Sequence, residues 1–305
     1  MNVFFDNVNI SSSSGPNGFA KKLLAELKKN HEIFTSVYAL SEKGARPDIQ
    51  ISFIAAQNNI APIVQRLDGI YFNSDQDYMS MNTPILETYQ QASAVICQSS
   101  FNKKLTKHWF GEHDNCHIIN NGTCFEKIAS IPALDNKKIN SFDNVWSCAS
   151  SWRPHKRLSE NVRYFLEHSN KNDCLVIAGE NPDHAVSHPR IFYANHLEWR
   201  DLISLFKKSK YFIHLSWLDH CPNVVIDARA AGCEIICSSS GGTKEIAGKN
   251  ATIIEEDEWD FSPIKLYSPP NMDFSRSAKN TYSSDISIQS VSKKYESVLS
   301  EVLNS

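Results

Sequence analysis

Asp219 and Asp227 lie eight positions apart, with Pro222-Asn223 between them and Gly232 closing the run. A helix beginning near Pro222 carries Asp227 on its pocket-facing side, a little over two turns on from Asp219, which sits on the loop ahead of the N-terminus. The first N–H groups of such a helix lack intrahelical partners, and the helix dipole adds positive potential there, which suits a phosphate. The flanking carboxylates accept hydrogen bonds from hydroxyls. A sugar nucleotide presents both kinds of group. The plain alternative is an ordinary capping residue at Asp219 and a solvated Asp227 in a doubly wound protein. Residues 233–237 read as a short buried strand, and residues 238–246, Ser-Ser-Ser-Gly-Gly-Thr-Lys-Glu-Ile, as a Gly-rich turn entering another helix. Helix, strand, Gly-Gly loop and helix, in that order, form the C-terminal edge of an α/β sheet, where ligands bind.

A second station is the basic turn at residues 150–157. Arg153, His155, Lys156 and Arg157 follow a strand end there, and cationic or potentially cationic groups so placed suit a diphosphate. A solvated basic turn is the alternative. Gly15 and Gly18 sit between the first strand and the first helix, where glycine permits a tight turn or a close backbone approach. No Gly-x-Gly-x-x-Gly or Gly-x-x-x-x-Gly-Lys-Ser/Thr run is present, so nothing argues for a dinucleotide enzyme or an NTPase.

Residues 219–246 resemble the nucleotide-sugar segment of family-4 glycosyltransferases of the GT-B fold. Their pattern is Glu-x7-Glu, then Ala-x-x-x-Gly, a short apolar strand and Gly-Gly-x-x-Glu. Here Asp219 and Asp227 replace the two glutamates, each shorter by one methylene, while Gly232, Gly241, Gly242 and Glu245 keep their places. The resemblance implies an α/β protein of two facing Rossmann-like domains, with a C-terminal helix packing back on the first. It also implies transfer of a sugar from a UDP- or GDP-type donor to a hydroxyl of a glycan, lipid or small-molecule acceptor. That transfer would be retaining and metal-independent, with no cofactor beyond the donor.

The same resemblance assigns roles to residues. Asp227 would hold the ribose hydroxyls, and Asp219 the sugar ring hydroxyls with a catalytic part. Lys156 and then Arg153 would neutralise the diphosphate, since aligning Lys156 with the family Lys leaves Ser151 where the family has Arg. Pro222, Asn223 and Val224 would approach the donor at the helix start, with Glu245, Gly18 and His196 also on the donor. Asp68, beside Arg66, stands where relatives carry a catalytic group, and a structural Arg–Asp contact fits those residues equally. Asn120 to Thr123 would form a structural turn. Asp75-Gln-Asp77 matches the metal-binding Asp-x-Asp of the other large glycosyltransferase fold, but reads here as loop residues, with no metal expected. Two other outcomes share the architecture: a nucleotide-sugar epimerase, and a degenerate relative that only binds a sugar nucleotide or glycan.

These groups need two sheets to hold them. At 305 residues the chain exceeds one ordinary core. Strand-like runs alternate with helix-like ones, which argues for parallel sheets. The expected division is residues 1–135, 136–280 and a returning helix at 281–305, with a polar break at 127–144. A net charge of −3 gives no case for nucleic acid. Neither a membrane span nor a signal peptide is expected. The eight cysteines form no Cys-x-x-Cys pair and read as reduced thiols of a cytoplasmic protein. Lys21, Lys22, Lys28 and Lys29 on the first helix form either a solvated face or a peripheral contact with an anionic lipid surface.

Overall fold

The computed structural model describes residues 1–12, 14–180 and 185–305. They form two units, Met1–Cys124 with Phe261–Pro263 and Asp285–Ser305, and Phe125–Asp260 with Ile264–Ser284.

The first unit runs β1 (Asn2–Asp6), α1 (Gly15–Leu27), β2 (Glu32–Phe34), α2 (Val37–Lys43), β3 (Ile49–Phe53), β4 (Ile63–Leu67), α3 (Tyr78–Gln91), β5 (Ala94–Cys97), α4 (Ser100–Phe110) and β6 (Cys116–Ile118). The strands are all parallel in the order β2-β1-β3-β4-β5-β6. Strands β3, β4 and β5 are buried along their whole length, as expected where crossover connections cover both sheet faces. The strand order reverses at β1, so the topological switch point lies between β1 and β3. Helix α1 buries Phe19, Leu23 and Leu27, the face its spacing predicts. It starts earlier than expected, however. Pro16 fits the first turn, so Gly15 to Gly18 are helical and the preceding loop is shorter. Asp75 to Asp77 lie in the turn ahead of α3, as read from the sequence, and Asp77 caps that helix by accepting a hydrogen bond from the Ser80 N–H at 3.2 Å.

The second unit runs α5 (Phe125–Ala129), β7 (Val145–Ala149), α6 (Leu158–His168), β8 (Cys174–Ala178), β9 (Ile191–Asn195), α7 (Trp199–Lys208), β10 (Tyr211–His214), α8 (Asn223–Ala230), β11 (Glu234–Ser238), α9 (Thr243–Ile246), β12 (Thr252–Ile254) and β13 (Ser277–Lys279). Its sheet is ordered β13-β12-β11-β10-β7-β8-β9, parallel except for the antiparallel edge strand β13. Here the switch point falls between β7 and β10. Trp146, Phe165, Leu175, Ile177, Ile213 and Ile236 build the core around it. The polar break is fastened to α7: the Leu134 N–H donates to the Ser204 carbonyl at 2.9 Å, and Lys207 Nζ to the Ala129 carbonyl at 3.0 Å.

The chain ends in α10 (Ile288–Leu303), which packs on α1 in the first unit through Val291, Tyr295, Val298 and Leu299. The Tyr295 and Phe19 rings lie 6.0 Å apart. Gly122 seats the entry to this helix. A Cβ there would meet Val291 Cγ2 at 2.9 Å and the Ile286 carbonyl oxygen at 3.1 Å.

Candidate functional site

Parallel pairing of Tyr211 with Trp146 and Phe212 with Ser147 sets β10 directly beside β7. The loops leaving their C-terminal ends therefore start side by side, and each contributes one charged group to the crevice. Lys156 Nζ, from the loop after β7, donates to Asp219 Oδ2, from the loop after β10, at 2.5 Å. His214 Nε2, at the end of β10, reaches the same oxygen at 3.1 Å. Residues distant in sequence thus meet because the strand order reverses here.

The electrostatics fix the protonation states. Burial alone would raise the Asp219 carboxyl, but the Lys156 charge and the His214 hydrogen bond prevail and hold it well below the usual carboxylate range. Burial lowers His214 against the pull of Asp219. A carboxylate facing a neutral imidazole can only accept, so Nε2 carries the hydrogen and donates to Oδ2. Burial, aided by Lys156, pushes His155 down to about 3. Burial pushes His220 down to about 4.

The basic turn is therefore less cationic than its sequence suggests. His155 is neutral. Arg157 is turned inward, with its guanidinium on both Glu256 oxygens at 3.0 and 2.7 Å and on the Pro270 carbonyl at 2.9 Å. It is thereby committed to the unit's interior, where a diphosphate would have to displace Glu256. Lys156 and the exposed Arg153 remain as the cations of this turn.

The Gly-Gly loop is fitted against Asp219 itself. Asp219 and Gly241 form an isolated parallel bridge, and the Gly242 N–H donates to the Asp219 carbonyl at 2.8 Å. Gly241 has φ +79°, and a Cβ there would lie 2.3 Å from the Asp219 carbonyl oxygen and 2.8 Å from its nitrogen. Glycine is required at this position by contact and by conformation together. Glu245 follows on α9, buried.

Helix α8 begins just after Pro222, and no side chain caps it. Asn223 and Val224 occupy its first turn, so the uncapped positive end lies four residues from Asp219. Asp227 is buried one turn further on and accepts from Trp199 Nε1 at 2.9 Å.

Lys156, Asp219 and the Gly-Gly loop are thus in direct contact. Pro222 precedes α8, Asn223, Val224 and Asp227 lie on it, and Glu245 lies on the adjoining α9. His196 is exposed on the loop after β9, 3.6 Å from Glu198 and 3.8 Å from Glu180. Gly18 and Asp68 belong to the first unit. A Cβ on Gly18 would meet nothing within 4 Å, so packing within the chain does not demand glycine there. Asp68 pairs with the buried Arg66 and accepts from Gln98 Nε2 at 2.7 Å. Burial raises its carboxyl despite Arg66. Arg66 is itself held over the Phe19 ring at 4.3 Å and donates to Asn121 Oδ1 at 2.6 Å.

Sequence reasoning passed over three residues. His214 sits in an apolar strand, where a histidine gives no pattern. Trp199 gives no sign of reaching Asp227. Gly179 stands where a Cβ would lie 1.8 Å from the Ser150 carbonyl oxygen, and its place after β8 was the available signal.

All eight cysteines are free thiols. Among the described residues, no group of three or more His, Cys, Asp or Glu is disposed to hold a metal, and no helix is long and apolar enough to cross a membrane.

No curated protein matches the sequence significantly. Residues 145–262 match the family described as Glycosyl transferases group 1. The fold is similar to Anabaena Alr3699/HepE in complex with UDP-glucose, at 13% identity and a TM-score of 0.65, over 99% of this chain and 100% of that one. It is similar to the catalytic domain of starch synthase IV from Arabidopsis thaliana bound to ADP and acarbose, at 12% identity and a TM-score of 0.66, over 100% and 99%. A glycosyltransferase from Rickettsia africae ESF-5 matches at 15% identity and a TM-score of 0.60, over 99% and 98%. Residues 145–262 are thus similar to group 1 glycosyltransferases, and the chain that contains them has the GT-B fold.

Proposed function

We propose that the protein transfers a sugar from a nucleoside diphosphate donor to an acceptor hydroxyl, with retention and without a metal ion. The observation that carries this reading is the Lys156–Asp219 contact at the β7/β10 switch point, beside the uncapped start of α8. In the reaction the bond from the sugar C1 to the β-phosphate oxygen breaks, and the diphosphate leaves with the electron pair. A new bond forms from C1 to the acceptor oxygen, whose proton passes to the departing diphosphate.

Charge therefore builds on the diphosphate, and preorganised cations and N–H groups stabilise it best. Lys156 and Arg153 serve here as the cations, with the first-turn N–H groups of α8. Before the donor arrives, Lys156 and Asp219 hold each other in place. The diphosphate draws Lys156 to itself and leaves the Asp219 carboxylate, still oriented by His214, to accept from a sugar hydroxyl. Asp227 holds the ribose hydroxyls, and Pro222, Val224 and Glu245 complete the donor surface. The UDP-glucose and ADP complexes of two similar structures support a nucleoside diphosphate donor.

A thermal-shift screen against UDP, GDP, ADP and their glucose conjugates tests this reading. Stabilisation by one nucleotide series, followed by turnover of its sugar form, supports it. An unshifted melting curve across the whole panel contradicts it.

A further inference from the structure

Strands β9 and β10 run parallel in the second sheet, so the loops that follow them leave from the same edge. Each loop passes into a crossover helix, α7 and α8, and the two helices pack on each other. Trp199 is the first residue of α7, and Asp227 stands one turn into α8. Because both helices start at one edge, the indole of the first reaches the carboxylate of the second. Trp199 Nε1 donates to Asp227 Oδ2 at 2.9 Å. Asp227 is 4% exposed, and a carboxylate so far from water needs donors from the protein.

The residue type that supplies this donor is informative. Ile203, Leu205 and Phe206 are the side chains that α7 buries in the core, while Trp199 is only half-buried at its start. An indole has one N–H donor and no acceptor, fixed on a rigid ring. It therefore holds the Asp227 carboxylate in one orientation.

We propose that Trp199 is a positioning residue, which through Asp227 makes the second unit prefer a ribonucleotide to its deoxy counterpart. This step rests on the assignment of the ribose hydroxyls to Asp227. A hydroxyl bonds at full strength only where the acceptor lone pairs point at it. The indole N–H sets that direction before the nucleotide arrives, so the bound nucleotide does not have to order the side chain. The effect of Trp199 runs through Asp227, and it must therefore follow the ribose hydroxyls rather than the base or the diphosphate.

The test is calorimetric titration of UDP, 2′-deoxy-UDP and 3′-deoxy-UDP into the wild type, Trp199→Phe and Trp199→His, each confirmed as folded by circular dichroism. Phenylalanine keeps an aromatic ring and loses the N–H. Histidine keeps it, since Nε2 occupies the same place in its five-membered ring as Nε1 does in the indole. The wild type should bind UDP at least about tenfold more tightly than one of the deoxynucleotides. Trp199→Phe should weaken UDP about tenfold and that deoxynucleotide less than about threefold, so that the preference collapses, and Trp199→His should restore it. Equal weakening of all three nucleotides by Trp199→Phe, unchanged UDP affinity, or a folded Trp199→His that behaves like Trp199→Phe overturns the inference. A wild type that binds all three nucleotides equally sinks the ribose assignment and this inference with it. A wild type that binds none of them sinks the donor reading itself.

Discussion

Gly241→Ala isolates the contact that positions Asp219. The new Cβ would lie 2.3 Å from the Asp219 carbonyl oxygen, 2.8 Å from its nitrogen and 3.0 Å from the Leu218 carbonyl carbon. All three atoms are backbone, so no side chain can rotate away and the loop itself must shift. The left-handed conformation adds roughly 1–2 kcal/mol of strain for a residue with a Cβ. Displacing the loop also removes the hydrogen bond from the Gly242 N–H to the Asp219 carbonyl, a loss of about 1 kcal/mol. Together these destabilise the second unit by about 2–3 kcal/mol, a fall in Tm of roughly 5–10 °C. The functional effect is sharper, because a shift of Asp219 separates it from Lys156; UDP affinity should fall at least about tenfold. Gly232→Ala is the matched control. Gly232 also has positive φ, +102°, but a Cβ there meets nothing within 4 Å. It should show backbone strain alone and normal UDP binding. Thermal unfolding and calorimetric titration on both variants separate the two effects. Equal Tm losses with equal, undiminished affinities would refute the argument that Gly241 sets the position of Asp219.

Three further outcomes are expected. His155 is held at about 3 when folded, below its ordinary value of 6.5, so the unfolded chain binds more protons between these limits. Stability from this group is complete above about pH 6.5 and is lost as pH falls, by about 2 kcal/mol at pH 5. His220, lowered to about 4, acts in the same direction, and urea midpoints measured from pH 7.5 to 5 that do not fall would contradict both assignments. Arg157→Lys breaks a buried two-pronged contact with Glu256 and should destabilise the second unit by about 3–5 kcal/mol. Its folded fraction should still bind UDP normally, whereas a variant that folds well but loses UDP would make Arg157 a diphosphate ligand. EDTA should leave UDP affinity and sugar transfer unchanged, and a loss restored by Mg²⁺ or Mn²⁺ would contradict the metal-independent reading.

The sequence made the fold legible wherever apolar runs were continuous. Residues 145–149 and 174–178 read as strands and 158–168 and 199–208 as helices from the sequence, and β7, β8, α6 and α7 have these bounds, because a strand covered on both faces is apolar throughout and a half-buried helix shows a clear stripe. Short elements were not legible. Strands β2 and β13 are three residues each, and α3 carries Pro84 within it, so neither periodicity nor propensity announces them. At the site, Lys156 and Asp219 were readable as separate stations, but their contact follows from the strand order. The charge of the basic turn was misjudged for the same kind of reason. His155 and Arg157 look cationic and available in sequence, while burial neutralises one and Glu256 engages the other. The need for glycine at 241 shows only when the Asp219 backbone is brought against it.

On the proposed function, the second unit holds a nucleoside diphosphate through Lys156, Asp219 and Asp227. Calorimetric titration of UDP and UDP-glucose into the wild type, Lys156→Ala and Asp227→Ala tests it most directly, with circular dichroism confirming that each variant is folded. Saturable binding by the wild type, at least about tenfold weaker binding by Lys156→Ala and none by Asp227→Ala is the predicted result. Equal affinities across the three folded proteins would contradict it.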